Sequence, residues 1–102
     1  MNELVYLKNE QALTDSLTVA EMFGKEHAKV MRSIDSRIES LTKNGGQKML
    51  IQGIRKADDG QFHRMYLMNR DGFLLLVMDF KGRKALEWKL KYIGAFNQKE
   101  TE

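Results

Sequence analysis

Leu17-Thr18-Val19-Ala20-Glu21-Met22-Phe23-Gly24-Lys25-Glu26-His27-Ala28-Lys29-Val30 is the stretch on which the fold turns. Thr18 and Glu21 have the spacing of a capping box, in which each side chain satisfies an amide left without a partner at a helix start. Leu17 before the cap and Met22 after it are spaced as a hydrophobic staple. The pattern predicts a helix from about Thr18, ended by Gly24, because glycine enters the left-handed region without steric cost. A second helix is expected from Lys25 or Glu26 to Leu41, with Val30, Ile34, Ile38 and Leu41 on its buried face. Asn44-Gly45-Gly46 then stops it. Two helices joined by a short glycine-containing turn make a helix-turn-helix. A small residue in the first helix lets the second cross closely, the glycine permits the turn, and an apolar residue in the second helix packs back. Ala20, Gly24 and Val30 hold those places; Ser33 stands where a further apolar residue is usual, so Ile34 is expected to do that packing.

At roughly 100° per residue, Lys25, Lys29, Arg32 and Ser36 fall opposite the Val30, Ile34 and Ile38 stripe. A helix that enters the major groove needs an outward row of donors of this kind, reaching guanine edges and phosphates. Glu26, Asp35 and Glu39 flank the row and limit its charge. The competing reading is a solvated polar face, ordinary for an amphipathic helix. His27 lies near the buried side of the wheel. Two roles stay open for it, packing or capping the helix and touching a phosphate.

Working outward, Val5-Tyr6-Leu7 and Gln11-Ala12-Leu13 read as short strands around the polar turn Lys8-Asn9-Glu10. After the helix pair, residues 49–54 and 61–67 read as strands joined by Ala57-Asp58-Asp59-Gly60, a hairpin signal. A hairpin directly after a helix-turn-helix is the winged-helix arrangement, and Lys48, Arg55, Lys56, His63 and Arg64 decorate it. Arg55, Lys56 and Arg64 are the candidate phosphate contacts. Asp58 and Asp59 at the tip argue against deep entry into the minor groove, and a plain solvated hairpin is the alternative. Asn69 can cap a third helix over Arg70 to Phe80, and Lys81-Gly82 breaks it. A last helix is expected from Arg83 to Gln98, with Leu86, Leu90, Ile93 and Phe96 or Asn97 inside. Trp88, Tyr92 and Ala95 lie off that stripe, giving either a second apolar face or one broad buried one. The expected class is α+β, winged-helix-like: a helix-turn-helix, then a β-hairpin and two C-terminal helices. Residues 1–98 are read as a single domain and 99–102 as a frayed tail.

The 102 residues suit one domain, and 42% hydrophobic with 30% charged residues is a globular balance. A formal charge of +3 is compatible with a nucleic-acid partner and with much else. There is no cysteine, so disulfides and thiolate metal sites are excluded, and His27 and His63 are too few for a zinc site without carboxylates. No cofactor is implied, and no Walker loop, GxGxxG after a strand, HExxH or Cys-His pair nominates an enzyme. The seven methionines read as core filler. The start lacks a secretory signal and no apolar run suits a membrane span, which points to the cytoplasm.

Two blocks carry a family resemblance. The first is Leu17 to His27 with Val30, Arg32 and Ile34. The second is Tyr66-Leu67-Met68-Asn69-Arg70-Asp71-Gly72-Phe73 through Val77-Met78, then Gly82-Arg83-Lys84-Ala85-Leu86-Glu87-Trp88-Lys89, Tyr92-Ile93 and Ala95-Phe96-Asn97. Together they resemble phage Rha regulatory proteins. The resemblance implies a prophage-encoded, DNA-binding regulator of transcription or an antirepressor, without catalytic activity, working in the host bacterial cell. It also implies a further C-terminal domain in many members, so that this chain is a short form or an excised domain. The segment from Ser36 to Phe62 matches no motif, and the wing rests on pattern alone. The partners expected are double-stranded DNA, a phage repressor under the antirepressor alternative, and a second copy of the chain if it reads two half-sites.

Overall fold

The computed structural model describes residues 4–8, 10–43, 50–56 and 59–101, of which 38–43, 50–52 and 55–56 are described as backbone only. A first hairpin, β1 (Tyr6–Lys8) and β2 (Gln11–Asp15), leads into α1 (Ser16–Met22) and α2 (His27–Lys43). A second hairpin, β3 (Leu50–Lys56) and β4 (Phe62–Met68), is followed by α3 (Arg70–Val77) and α4 (Arg83–Glu100). The class is α+β, with the expected order of elements. The second hairpin is tied into the body: the antiparallel sheet has the order β1-β2-β4-β3, and β4 pairs with β2 through Thr14 opposite Met68 and Asp15 opposite Leu67. Its far end leaves the body, where Ile54 and Phe62 are 73% and 71% exposed.

α1 starts before the position that the capping-box spacing predicts. Asp15 is the cap, with one carboxylate oxygen accepting from the Thr18 amide at 2.7 Å and the other from the Thr18 hydroxyl at 3.1 Å. A carboxylate satisfies the free amides and also faces the positive end of the helix, so it displaces threonine from the role. α3 begins as expected, its Gly72 amide donating to the Asn69 side chain at 2.9 Å. It ends at Val77, before Phe80, and leaves Leu74 and Met78 facing outward.

The core lies between the helices and one face of the sheet. Val19 and Ala20 of α1, and Phe23 just beyond it, meet Val30, Met31 and Ile34 of α2, with Tyr66 and Met68 from β4 and Phe73, Leu76 and Val77 from α3. Tyr92 and Phe96 of α4 complete it; Phe73 stacks on Tyr92 with centroids 4.4 Å apart, and Phe23 lies edge-on to Phe80 at 5.2 Å.

α4 is rotated relative to its expected orientation. Tyr92 and Phe96 are buried, with Ala85, Trp88 and Ala95 partly buried beside them. Leu86 and Leu90 are 56% and 61% exposed, and Ile93 also faces outward. The neighbours decide this: Phe23 and Phe73 offer ring faces, and aromatic side chains bury more area and add a stacking preference that leucine lacks. The helix also runs two residues beyond Gln98, to Glu100, which pairs with Arg70.

Candidate nucleic-acid interface

The junction between α1 and α2 is a Schellman motif. The Lys25 amide donates to the Ala20 carbonyl at 2.8 Å and the Gly24 amide to the Glu21 carbonyl at 3.3 Å, with Gly24 at φ +67°. Nothing lies within 4 Å of where a Gly24 Cβ would sit, so glycine is needed here for its backbone angle and not for space. The turn sets the path into α2, which packs through Val30, Met31 and Ile34. Lys25, Lys29, Arg32 and Ser36 are all exposed on the other side. Ser36 turns its hydroxyl back to the Ser33 carbonyl at 2.9 Å, leaving the three cations as the outward functional groups. Ile38, Leu41 and Glu39 lie outside the residues whose side chains are described.

His27 is half-buried and reaches inward. Its Nε2 sits 2.9 Å from the Ser16 hydroxyl, which also accepts from the Tyr66 amide at 3.0 Å. Ser16 is fully buried, so this one hydroxyl joins the start of α1, the start of α2 and strand β4. A buried hydroxyl left without partners is costly, which makes the arrangement specific.

The hairpin contacts divide. Arg64, expected to touch phosphate, folds back onto α2 as a two-pronged pair with Asp35, at 3.2 and 2.8 Å. Its guanidinium also stacks 5.5 Å over the Tyr66 ring, while the Tyr66 hydroxyl donates to Asp35 at 2.7 Å. The hydrogen bonds from Arg64 and Tyr66 hold the Asp35 carboxyl below its ordinary pKa, and burial, followed by the hydrogen bond to Asp35, pushes the Tyr66 hydroxyl up. Asp35 therefore does not offset the α2 cations freely; it anchors the hairpin. The side chains of Arg55 and Lys56, and all of Lys48, lie outside the described residues. In the backbone register Arg55 stands opposite His63 and Lys56 opposite Phe62, at the far end of the hairpin.

Lys25 also belongs to a second group of cations, whose other members do not stand out in the sequence as a contact site. Phe80, packed on Phe23, carries the Lys25 ammonium 5.1 Å over its ring and accepts the Lys89 ammonium on its carbonyl at 2.6 Å. Exposed Lys81, Arg83 and Lys84 follow directly. The α1–α2 turn, the α3–α4 loop and the start of α4 thus meet in one basic corner. The signal in the sequence is the run Lys81-Gly82-Arg83-Lys84, which reads on its own as a helix break.

No described helix is long and apolar enough to cross a membrane, and no solved structure matches the chain. A protein of Salmonella phage P22, known as the uncharacterized 22.8 kDa protein of the gp15-gp3 intergenic region, is 34% identical over 98% of this chain and 50% of its own length. An uncharacterized protein of Haemophilus influenzae is 31% identical over 86% of this chain and 51% of its own length. The Bacillus subtilis "SPbeta prophage-derived putative antirepressor protein YoqD" is 28% identical over 91% of this chain and 38% of its own length. The chain thus spans about half the length, or less, of these curated relatives. The family model described as phage regulatory protein Rha matches residues 14–101, from the end of β2 to the end of α4, and the chain belongs to that family.

Proposed function

We propose that the chain regulates transcription by binding duplex DNA, with α2 in the major groove. The carrying observation is the segregation on α2 and its lead-in: Val30, Met31 and Ile34 are buried, while Lys29 and Arg32 on the helix and Lys25 just before it stand exposed beyond a glycine turn. Positioned lysine and arginine reach guanine edges and phosphates, and the first turns of such a helix read bases. The hairpin lies along the phosphate backbone at its far end, where Arg55 and Lys56 stand in the register. Arg64 and His27 serve by holding the hairpin and α1 against α2. The test is fluorescence polarisation with duplexes selected from a random pool. The Lys29→Ala, Arg32→Ala double variant is expected to lose roughly tenfold or more in affinity for the selected sequence, as the loss of base contacts implies. An unchanged affinity moves the site off α2.

A second reading is supported by the outward Leu86, Leu90 and Ile93 stripe and by the name of the Bacillus relative. In it the chain acts as an antirepressor, with α4 docking on a phage repressor protein. Leu90→Asp then abolishes displacement of that repressor from its operator and spares DNA binding through α2; retained displacement overturns this reading. Sedimentation of the chain alone is the companion measurement, since a dimer split by Leu90→Asp assigns the stripe to a second copy instead.

A further inference from the structure

We infer that the basic corner around Phe80 is a phosphate-binding surface for the DNA backbone beside the groove that α2 enters, an inference that rests on the DNA-binding reading above. It replaces Arg64, which the fold commits to Asp35, as the contact that fixes α2 on the duplex. Three elements build the corner. Lys25 leads into α2 and leans over the Phe80 ring, Lys89 of α4 holds the Phe80 carbonyl, and Lys81, Arg83 and Lys84 project from the loop and first turn beyond.

The charge balance favours an anionic partner. Asp79, the acid nearest in sequence to the loop, is drawn away by Arg37 of α2. The acids that remain beside the corner in sequence are Glu21 and Glu26, on either side of the turn that leads to Lys25, and Glu87, on the second turn of α4, against five cations. Lys25 belongs to both surfaces, so the corner lies at the N-terminal end of α2, the end that reads bases. A major groove is roughly 12 Å wide, so cations beside that end face the phosphates that border it. Phosphate contacts fix orientation and carry no sequence information. The corner is thus expected to contribute affinity and salt dependence, and α2 the sequence preference.

The experiment compares the unmodified chain, the Lys29→Ala, Arg32→Ala variant and a Lys81→Gln, Arg83→Gln, Lys84→Gln variant on selected and scrambled duplexes across a salt series. Three lost phosphate contacts flatten the log–log salt slope by about 2.7. Between 50 and 200 mM salt the unmodified chain therefore loses roughly 40-fold more affinity than the triple variant does. The triple variant is expected to weaken on both duplexes equally and to keep the selected-to-scrambled ratio, while the α2 variant reduces that ratio. An unchanged slope in the triple variant, with normal binding by the unmodified chain, overturns the corner and leaves the α2 reading standing. Absence of duplex binding by the unmodified chain overturns both. The three substituted residues are exposed, and an unchanged thermal midpoint in the triple variant excludes a folding defect.

Discussion

α2 and α4 are the two long helices of the protein, and each carries aliphatic residues at helical spacing. α2 turns Val30 and Ile34 into the core, whereas α4 turns Leu86, Leu90 and Ile93 outward and buries Tyr92 and Phe96. Periodicity locates a stripe; the partner decides which stripe goes inside. α2 packs on the small Ala20 and Val19 of α1, so slim branched side chains fill the gap. α4 packs where Phe23 and Phe73 present rings, so aromatic side chains fit there and the leucines are left for solvent or a partner.

The sharpest way to break this comparison is paired truncation on α4. Phe96→Ala is expected to cost about 3–5 kcal/mol through the cavity it leaves, a large share of the stability of a small domain. Leu90→Ala, on the exposed stripe, is expected to stay within about 0.5 kcal/mol. Urea unfolding of both variants measures the difference. Equal losses, or a larger loss at Leu90, contradict the rotation of α4.

Seen from the residues alone, the helix pair was legible because its determinants are local. Ala20, Gly24 and Val30 lie within eleven residues of chain; Gly24 makes the turn, and Ala20 and Val30 enter the core on either side of it. The start of α1 was less so. Thr18 and Glu21 satisfy a pattern, but Asp15 accepts from the Thr18 amide with a charged oxygen, and a pattern does not rank competing caps. The α4 stripe and the fate of Arg64 are non-local: both depend on side chains 19 or more positions away, Phe73 and Asp35, whose proximity exists only once the chain has folded. The basic corner escaped for the same reason, since Lys25 and Lys81 are brought together by Phe80 packing on Phe23.

Glycine sharpens the same contrast at lower cost. Gly24 at the entry to α2 has φ +67°, so Gly24→Ala is expected to destabilise by about 1–2 kcal/mol through backbone strain although the space is empty. Gly94 lies within α4, and nothing stands within 4 Å of an added Cβ. Gly94→Ala is therefore expected to stabilise by about 0.5–1 kcal/mol, since glycine inside a helix loses more backbone entropy than alanine. Opposite shifts in thermal midpoint are the expected result; shifts of one sign refute the distinction between the two helices' glycines.

The smallest effect concerns the polar side of α2, where Asp35 does for the hairpin what Ile34 does for the core. The bonds from Arg64 and Tyr66 hold the folded-state pKa of Asp35 below its ordinary value of 3.8. Stability from a carboxylate depressed in this way is fully present above that ordinary value and is lost as pH falls through the folded one. The pair is partly exposed, so salt and solvent reduce its contribution. Asp35→Asn is expected to lower the urea midpoint slightly near neutrality and to flatten the acid limb below about pH 4, so that the two curves converge at low pH. The same substitution is expected to speed amide exchange in β3 and in the part of β4 around Arg64, and to leave α4 unchanged, because the bond it removes joins only α2 to the hairpin. Parallel acid limbs in the two proteins, or faster exchange in α4 as well, place the stabilising carboxylate elsewhere and sever the link drawn between Asp35 and the hairpin.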